Sequence, residues 1–336
     1  VGRDRFYLDP GHMAPMLYSQ LTLIGKFTLD ELAQLRQWGS PTTGHPEFEI
    51  ARGIENTSGP LGQGHVFAIG AAIAAKFLAA HTGNPTFAKE TIYAYISDGG
   101  VQEEISQGGA RIAATLGLDN LIMFYDSNTV QLSTMCDAVS SEDVRKKYEA
   151  WGWFVQEING NDVVEIRVAL NAAKAEKHRP SLIIGHTAMG KGAVTAEGES
   201  FEGKCSTHGQ PLSKSGASFE ATVKNLGGDP ENPFRIFEDV QKLYENRAAE
   251  LKGIANERYA ELREWRNANP ELSVLYDKYF SGEAPEVNWS KIQQKQGNAT
   301  RNASAAVLSS LAEQVGNMVV SSADLSNSDK TDGFLK

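Results

Sequence analysis

Cysteine is nearly absent from this chain. Its 336 residues hold only Cys136 and Cys205, too few for a disulfide framework and not a CxxC pair, which points to a reducing, cytoplasmic setting. Long apolar runs are missing too. The longest, near Ala71 to Ala80, is interrupted by Lys76, so no membrane-spanning segment and no membrane partner is expected. There is no surplus of positive charge: 32 Lys and Arg face 42 Asp and Glu, a net charge of -10 that would repel a phosphate backbone, so nucleic acid is not an expected partner. No signal peptide opens the chain, which begins at Val1 without a methionine and ends on Gly333-Phe334-Leu335-Lys336; a fragment is expected. Repeats and low-complexity tracts are absent. What remains, 41% hydrophobic and 22% charged residues, is ordinary globular composition, and the length suggests about two domains.

Short apolar runs alternate with helical patterns through the first half. Thr91 to Ile96, Leu121 to Tyr125 and Ser181 to Ile184 are rich in β-branched and aromatic residues and end in polar or Gly-rich turns, as buried parallel strands do. Val66 to Ala80, Gln102 to Leu116, Ser141 to Gly152 and Val163 to Ala175 read as the helices between them. The fold class expected is therefore α/β, a doubly wound, mostly parallel sheet flanked by helices. From Phe237 to Phe280 the chain turns charged and helical, with opposite charges three apart such as Arg247 and Glu250; this predicts a helical linker. Ala303 to Gln314 predicts a further helix and Met318-Val319-Val320 a strand, the beginning of a second α/β domain. The expected divisions are residues 1-236, 237-295 and 296-336.

The chemistry concentrates at Ile96-Ser97-Asp98-Gly99-Gly100, a strand running into an Asp-Gly turn, and at Asp126-Ser127-Asn128. Asp98 and Asn128 stand thirty residues apart, separated by one helix and one strand. In a doubly wound sheet both fall at carboxyl ends of strands, where ligands bind. Both offer hard oxygen atoms suited to Mg²⁺, which takes one or two protein ligands and completes its octahedron with phosphate oxygens. Gly99 lets the backbone approach a diphosphate closely. Taken singly, an Asp-Gly after a strand is an ordinary turn, and so is Asn128; the pair at this spacing is what points to a site. His12, His45 and His208 sit in Gly-flanked loops and are candidates for proton transfer near neutral pH. His65, His81, His178 and His186 are read as packing or surface residues.

The SDG-to-Asn spacing resembles the thiamine diphosphate motif, a GDG followed about thirty residues later by Asn, with Ser97 in place of the first glycine. RDRFYLDPGH (3-12), GHPEFE (44-49), GPLGQG (59-64), SDGGVQEEIS (97-106), YDSNTVQL (125-132), RKKYEAWGW (145-153) and THGQPL (207-212), in that order, resemble the transketolase family specifically. The resemblance implies a diphosphate-binding domain in 1-236, a linker in 237-295 and the start of a pyrimidine-binding domain in 296-336. It implies thiamine diphosphate with Mg²⁺, for which Ca²⁺ or Mn²⁺ could substitute, held by Asp98, Asn128 and the main-chain carbonyl of Val130. It further implies cofactor contacts from Gly59, Leu61, Gly99, His208 and Asp324, and donor-sugar contacts from His12 and His45. His208 would lie on the diphosphate side and help move protons. ATR (299-301) and SADLSNS (322-328) resemble the family's sugar phosphate grip, implying roles for Arg301 and Ser328.

Glu103 resembles the family's interface glutamate, implying a homodimer, although a first-turn carboxylate is favoured there by the helix dipole in any case. A second interface glutamate of the family falls at Gly108. The stretch from Gly192 to His208 is longer than the family's by several residues, and one residue is added between His45 and Gly59. The expected reaction is reversible transfer of a two-carbon ketol group between a ketose phosphate and an aldose phosphate, as in the pentose phosphate pathway, with the cofactor as electron sink. The family's glutamate that bonds the aminopyrimidine and its earlier histidine have no counterpart in these residues. Dihydroxyacetone synthase, 1-deoxyxylulose-5-phosphate synthase, the N-terminal subunit of a split transketolase and a non-catalytic homologue remain open.

Overall fold

Five parallel strands form one sheet in the spatial order β1-β2-β3-β5-β4: β1 (Arg5–Leu8), β2 (Ile92–Ser97), β3 (Leu121–Ser127), β4 (Phe154–Asn159) and β5 (Ser181–His186). The computed structural model describes residues 2–208 and 210–335. The register aligns the strand ends that matter: Ser97 pairs with Asp126, and Asp126 with Gly185. Asp98 and Asn128 follow directly on the carboxyl ends of two adjacent central strands.

Alternation along the strands decides which helix covers which face. Ile92, Ala94, Ile96, Leu121, Met123, Leu182 and Ile184 point one way and form a core with Ala68, Ile69 and Ala72 of one helix and Ala110 and Ala113 of another. Those helices, with their neighbours in sequence, are α1 (Ala14–Leu23), α2 (Gln63–Thr82), α3 (Asp98–Gln102), α4 (Glu104–Thr115), α5 (Val144–Trp151) and α6 (Val163–Ala175). Tyr148 of α5 completes the α2/α4 core. On the opposite face Ile122 and Ile183 pack against Ala169 and Ala173 of α6, and Leu8 packs with Leu17, Tyr18 and Leu21 of α1. The chain leaves β1 toward the α1 face and β2 toward the α4 face, so the carboxyl ends of these neighbours open a crevice, the usual ligand position in such sheets.

Three expectations change. Strands β1 and β4 were not anticipated: β1 is only four residues long, and β4 alternates half-buried and polar residues at the sheet edge. α2 has the length and apolarity to cross a membrane, contrary to the reading that no segment does; here it is a core helix whose Ala68, Ile69, Ala72 and Ala75 are buried. Residues 318–320 form no strand, and Val319 is 60% exposed. None of the described residues supplies a neighbour for them to pair with, and an isolated strand leaves its backbone groups without a ladder.

The chain divides into two compact units, Val1–Arg263 and Glu264–Lys336. The division falls within a long helix, α7 (Glu238–Ala268). The second unit contains α8 (Pro270–Phe280), α9 (Thr300–Gln314) and α10 (Ser326–Asp329). Within it, Arg266 pairs in a fork with both Asp277 oxygens, at 2.8 and 2.6 Å.

Candidate functional site

No loop separates β2 from α3. Ser97 is the last strand residue and also the helix N-cap, its hydroxyl accepting from the Gly100 N–H at 3.4 Å. Asp98 is therefore placed by the sheet itself. Its Oδ1 accepts from the Tyr125 hydroxyl at 2.5 Å, and its Oδ2 from the N–H groups of Asn128 and Thr129 at 3.1 and 3.0 Å. Burial is the largest influence on this carboxyl and raises its pKa, with the Asp126 charge adding to the rise and the three hydrogen bonds opposing it. A bound cation would relieve that cost.

The connection after β3 is equally specified. Asn128 Oδ1 accepts from the Val130 N–H at 3.0 Å, and Thr129 between them is held at φ +63°. That left-handed conformation is unusual for a β-branched residue. Val130 and Met135 form an antiparallel bridge that closes the loop.

His12, Leu61, Asp98, Gly99, Glu103, Asn128, Val130 and His208 all line one cavity of about 820 Å³. The rings of His12 and His208 lie 4.8 Å apart, and His208 Nδ1 is buried without a partner. Burial first, then the charges of His208, His45 and Arg36, push the His12 pKa down to about 4; burial likewise lowers that of His208. His12 is thus neutral at pH 7, with one ring nitrogen a hydrogen-bond donor and the other an acceptor. Gly99 forms part of the cradle, since a Cβ there would come 2.8 Å from Leu61 Cδ1. His45 and Gly59 sit one layer back: a Cβ on Gly11 would meet the His45 ring and the Gly59 N at 2.9 Å. Arg301, Asp324 and Ser328 lie in the second unit, all exposed, with Asp324 at φ +63°.

The sequence reading missed Asp126, Tyr95 and Thr187, which also line the cavity. Asp126 Oδ2 accepts from the Tyr95 hydroxyl at 2.9 Å, and Oδ1 accepts from the Thr187 hydroxyl. Asp126 stood inside the YDSN motif; only the three-dimensional meeting of β2, β3 and the end of β5 gives it a role. Asp9 was missed as well. Its Oδ1 accepts from the Gly64 N–H in the first turn of α2 at 2.8 Å, so a carboxylate just after β1 caps that helix. His65, read as a packing residue, is fully buried beside Asp9, with 3.5 Å between Nδ1 and Oδ1.

The Asp98 carboxylate and the Asn128 amide oxygen lie beside a glycine cradle in this cavity, and hard oxygens of this kind suit a divalent cation that also takes phosphate ligands. Among the described residues no group of three His, Cys, Asp or Glu side chains gathers as a metal cage. Residues 1–285 match the family described as "Transketolase, thiamine diphosphate binding domain". The chain belongs to the transketolase family. It is 35% identical over 336 residues to a transketolase of Staphylococcus epidermidis, covering 98% of this chain and 50% of that protein. Transketolase 1 of Saccharomyces cerevisiae is 36% identical, with 98% and 49% covered. Among solved structures, transketolase from Leishmania mexicana superposes with a TM-score of 0.88 at 31% identity, and that from Campylobacter jejuni with 0.77 at 32% identity; this chain is covered to 98% in both, and those chains to 49% and 50%. The chain thus spans about half the length of these members of the family.

Proposed function

We propose that this chain carries the diphosphate-binding half of a transketolase active site, in which a two-carbon ketol group passes reversibly from a ketose phosphate to an aldose phosphate, as in the pentose phosphate pathway. One observation carries the reading: Asp98, Asn128 and Val130, from two adjacent strand ends, converge with His12 and His208 on a single cavity. On this reading Asp98, Asn128 and the Val130 carbonyl hold Mg²⁺, with Ca²⁺ or Mn²⁺ as substitutes, and Gly59, Leu61, Gly99 and His208 shape the seat of thiamine diphosphate. When bound, the cofactor supplies a carbon nucleophile and an electron sink.

The chain's own residues supply the rest. His12 and His45 hydrogen-bond the donor sugar's oxygens, and neutral His12 exchanges a proton with a substrate hydroxyl as charge develops there. His208 donates on the diphosphate side. Leu61 presents an apolar surface that excludes water. Arg301 and Ser328 are assigned to the sugar phosphate, Asp324 to the cofactor across a subunit interface, and Glu103 to the interface of a cytoplasmic homodimer. The diphosphate-binding, linker and pyrimidine-binding divisions at 1-236, 237-295 and 296-336 belong to the same proposal.

The test is calorimetric titration of thiamine diphosphate into the complete polypeptide, with Mg²⁺ and then with EDTA, beside Asp98→Ala. Binding should require Mg²⁺ and weaken by at least about 100-fold in the variant. Metal-independent binding of equal strength in both proteins would overturn the proposal.

A further inference from the structure

Asn128 can serve a metal only through its carbonyl oxygen, and an asparagine amide presents oxygen and nitrogen in nearly the same shape. Its surroundings settle which way it faces. On one side lies the Val130 N–H, a donor, 3.0 Å from Oδ1. On the other lies the Asp126 carboxylate, an acceptor, with Asn128 Nδ2 at 3.4 Å from its Oδ1. Reversing the amide would set an NH₂ against an N–H and an oxygen against a carboxylate, two repulsions in place of two attractions.

Asp126 is itself fixed. It is only 9% exposed, and hydroxyls from two other strand ends, Tyr95 on β2 and Thr187 just after β5, donate to its two oxygens. A second buried carboxylate beside a cation ligand is an expensive way to fill that space unless it does something a neutral residue could not. A carboxylate only accepts, whereas an amide in its place could turn either face to Asn128.

We infer that Asp126 is a positioning residue that fixes the Asn128 amide with its oxygen toward the metal. The inference rests on the cofactor reading above and adds a residue to it. Tyr95 and Thr187 hold the carboxylate in the plane where it meets Nδ2, so the orientation of one metal ligand is set jointly by three strand ends.

The experiment uses the complete polypeptide with thiamine diphosphate and titrates Mn²⁺, reading bound metal by electron paramagnetic resonance. In Asp126→Asn, Mn²⁺ affinity should fall about tenfold, the scale of losing a group that orients a metal ligand. In the metal-free protein, the amide nitrogen signal of Val130 should split or shift, because part of the population turns NH₂ toward it; a purely structural role for Asp126 would not move that signal selectively. Thr187→Val, which removes one of the hydroxyls holding Asp126, should lower affinity about threefold and serves the same purpose if Asp126→Asn fails to fold. Affinities within twofold of wild type in both variants, with an unmoved Val130 signal, overturn the positioning role while leaving the cofactor reading intact. A wild-type protein that holds no Mn²⁺ with thiamine diphosphate overturns both.

Discussion

The two units of this chain treat their candidate site residues in opposite ways. In the first, Asp98 has both oxygens engaged by three hydrogen bonds from its own chain, and Asp126 joins three strand ends. In the second, Arg301, Asp324 and Ser328 are exposed, and α9 buries none of its residues. The first unit has a sheet to pack against, and its candidate residues line one cavity. The second unit has no strand among its described residues, and these side chains stand exposed on helices and a bend. The ordering of these side chains therefore follows the presence of paired strand ends more than the type of residue placed there.

The comparison breaks most readily at the junction between β1 and α2. A Cβ on Gly64 would lie 2.5 Å from Asp9 Cα, a backbone atom that cannot yield. Gly64→Ala should cost roughly 3 kcal/mol or more in urea unfolding, because overpacking here displaces a strand and a helix together. A loss below about 1 kcal/mol would mean the junction is pliable and the first unit less rigid than described.

A second difference concerns pH. The His12 pKa is depressed to about 4 by burial and by neighbouring charges, against about 6.5 for an exposed histidine. Because the folded-state value lies below the unfolded one, the stability linked to neutral His12 is fully present above about pH 6.5 and is lost as pH falls toward 4. Stability followed by urea unfolding across that window should fall less steeply in His12→Gln than in wild type. Identical slopes would mean that the ring does not stay neutral.

The smallest effect is expected in the second unit. Val319 is 60% exposed, so Val319→Ala should change stability by less than about 0.5 kcal/mol. A loss near 2 kcal/mol, measured in a longer polypeptide or assembly that contains this chain, would mean that other residues cover the segment and that the expected strand forms there.

Much of the first unit was legible in sequence. Central strands β2, β3 and β5 announce themselves because burial on both faces demands continuous apolar runs. Asp98 and Asn128 were legible through their thirty-residue spacing across one helix and one strand, and the structure sets them at adjacent strand ends, while Val130 entered through the resemblance alone. β4 was not legible, since at the sheet edge Gln156, Glu157 and Asn159 remain partly or fully exposed and break the pattern. Asp126 was hidden for another reason: its partners Tyr95 and Thr187 lie 31 and 61 residues away, and neither residue type marks a site. Met318 to Val320 shows the converse, a strand-like triplet with no strand beside it among the described residues. Local pattern reports what a segment can do, and pairing decides whether it does.

Because Ser97 ends a strand and begins a helix with nothing between, the placement of Asp98 inherits the stiffness of the hydrogen-bonded lattice behind it. Solvent exchange at this backbone then requires the sheet to open and not merely a loop to flicker. If the proposed site is right, the carboxylate meets an arriving ligand already in place, so little ordering entropy is lost on capture and selectivity rests on the fit of an existing shape.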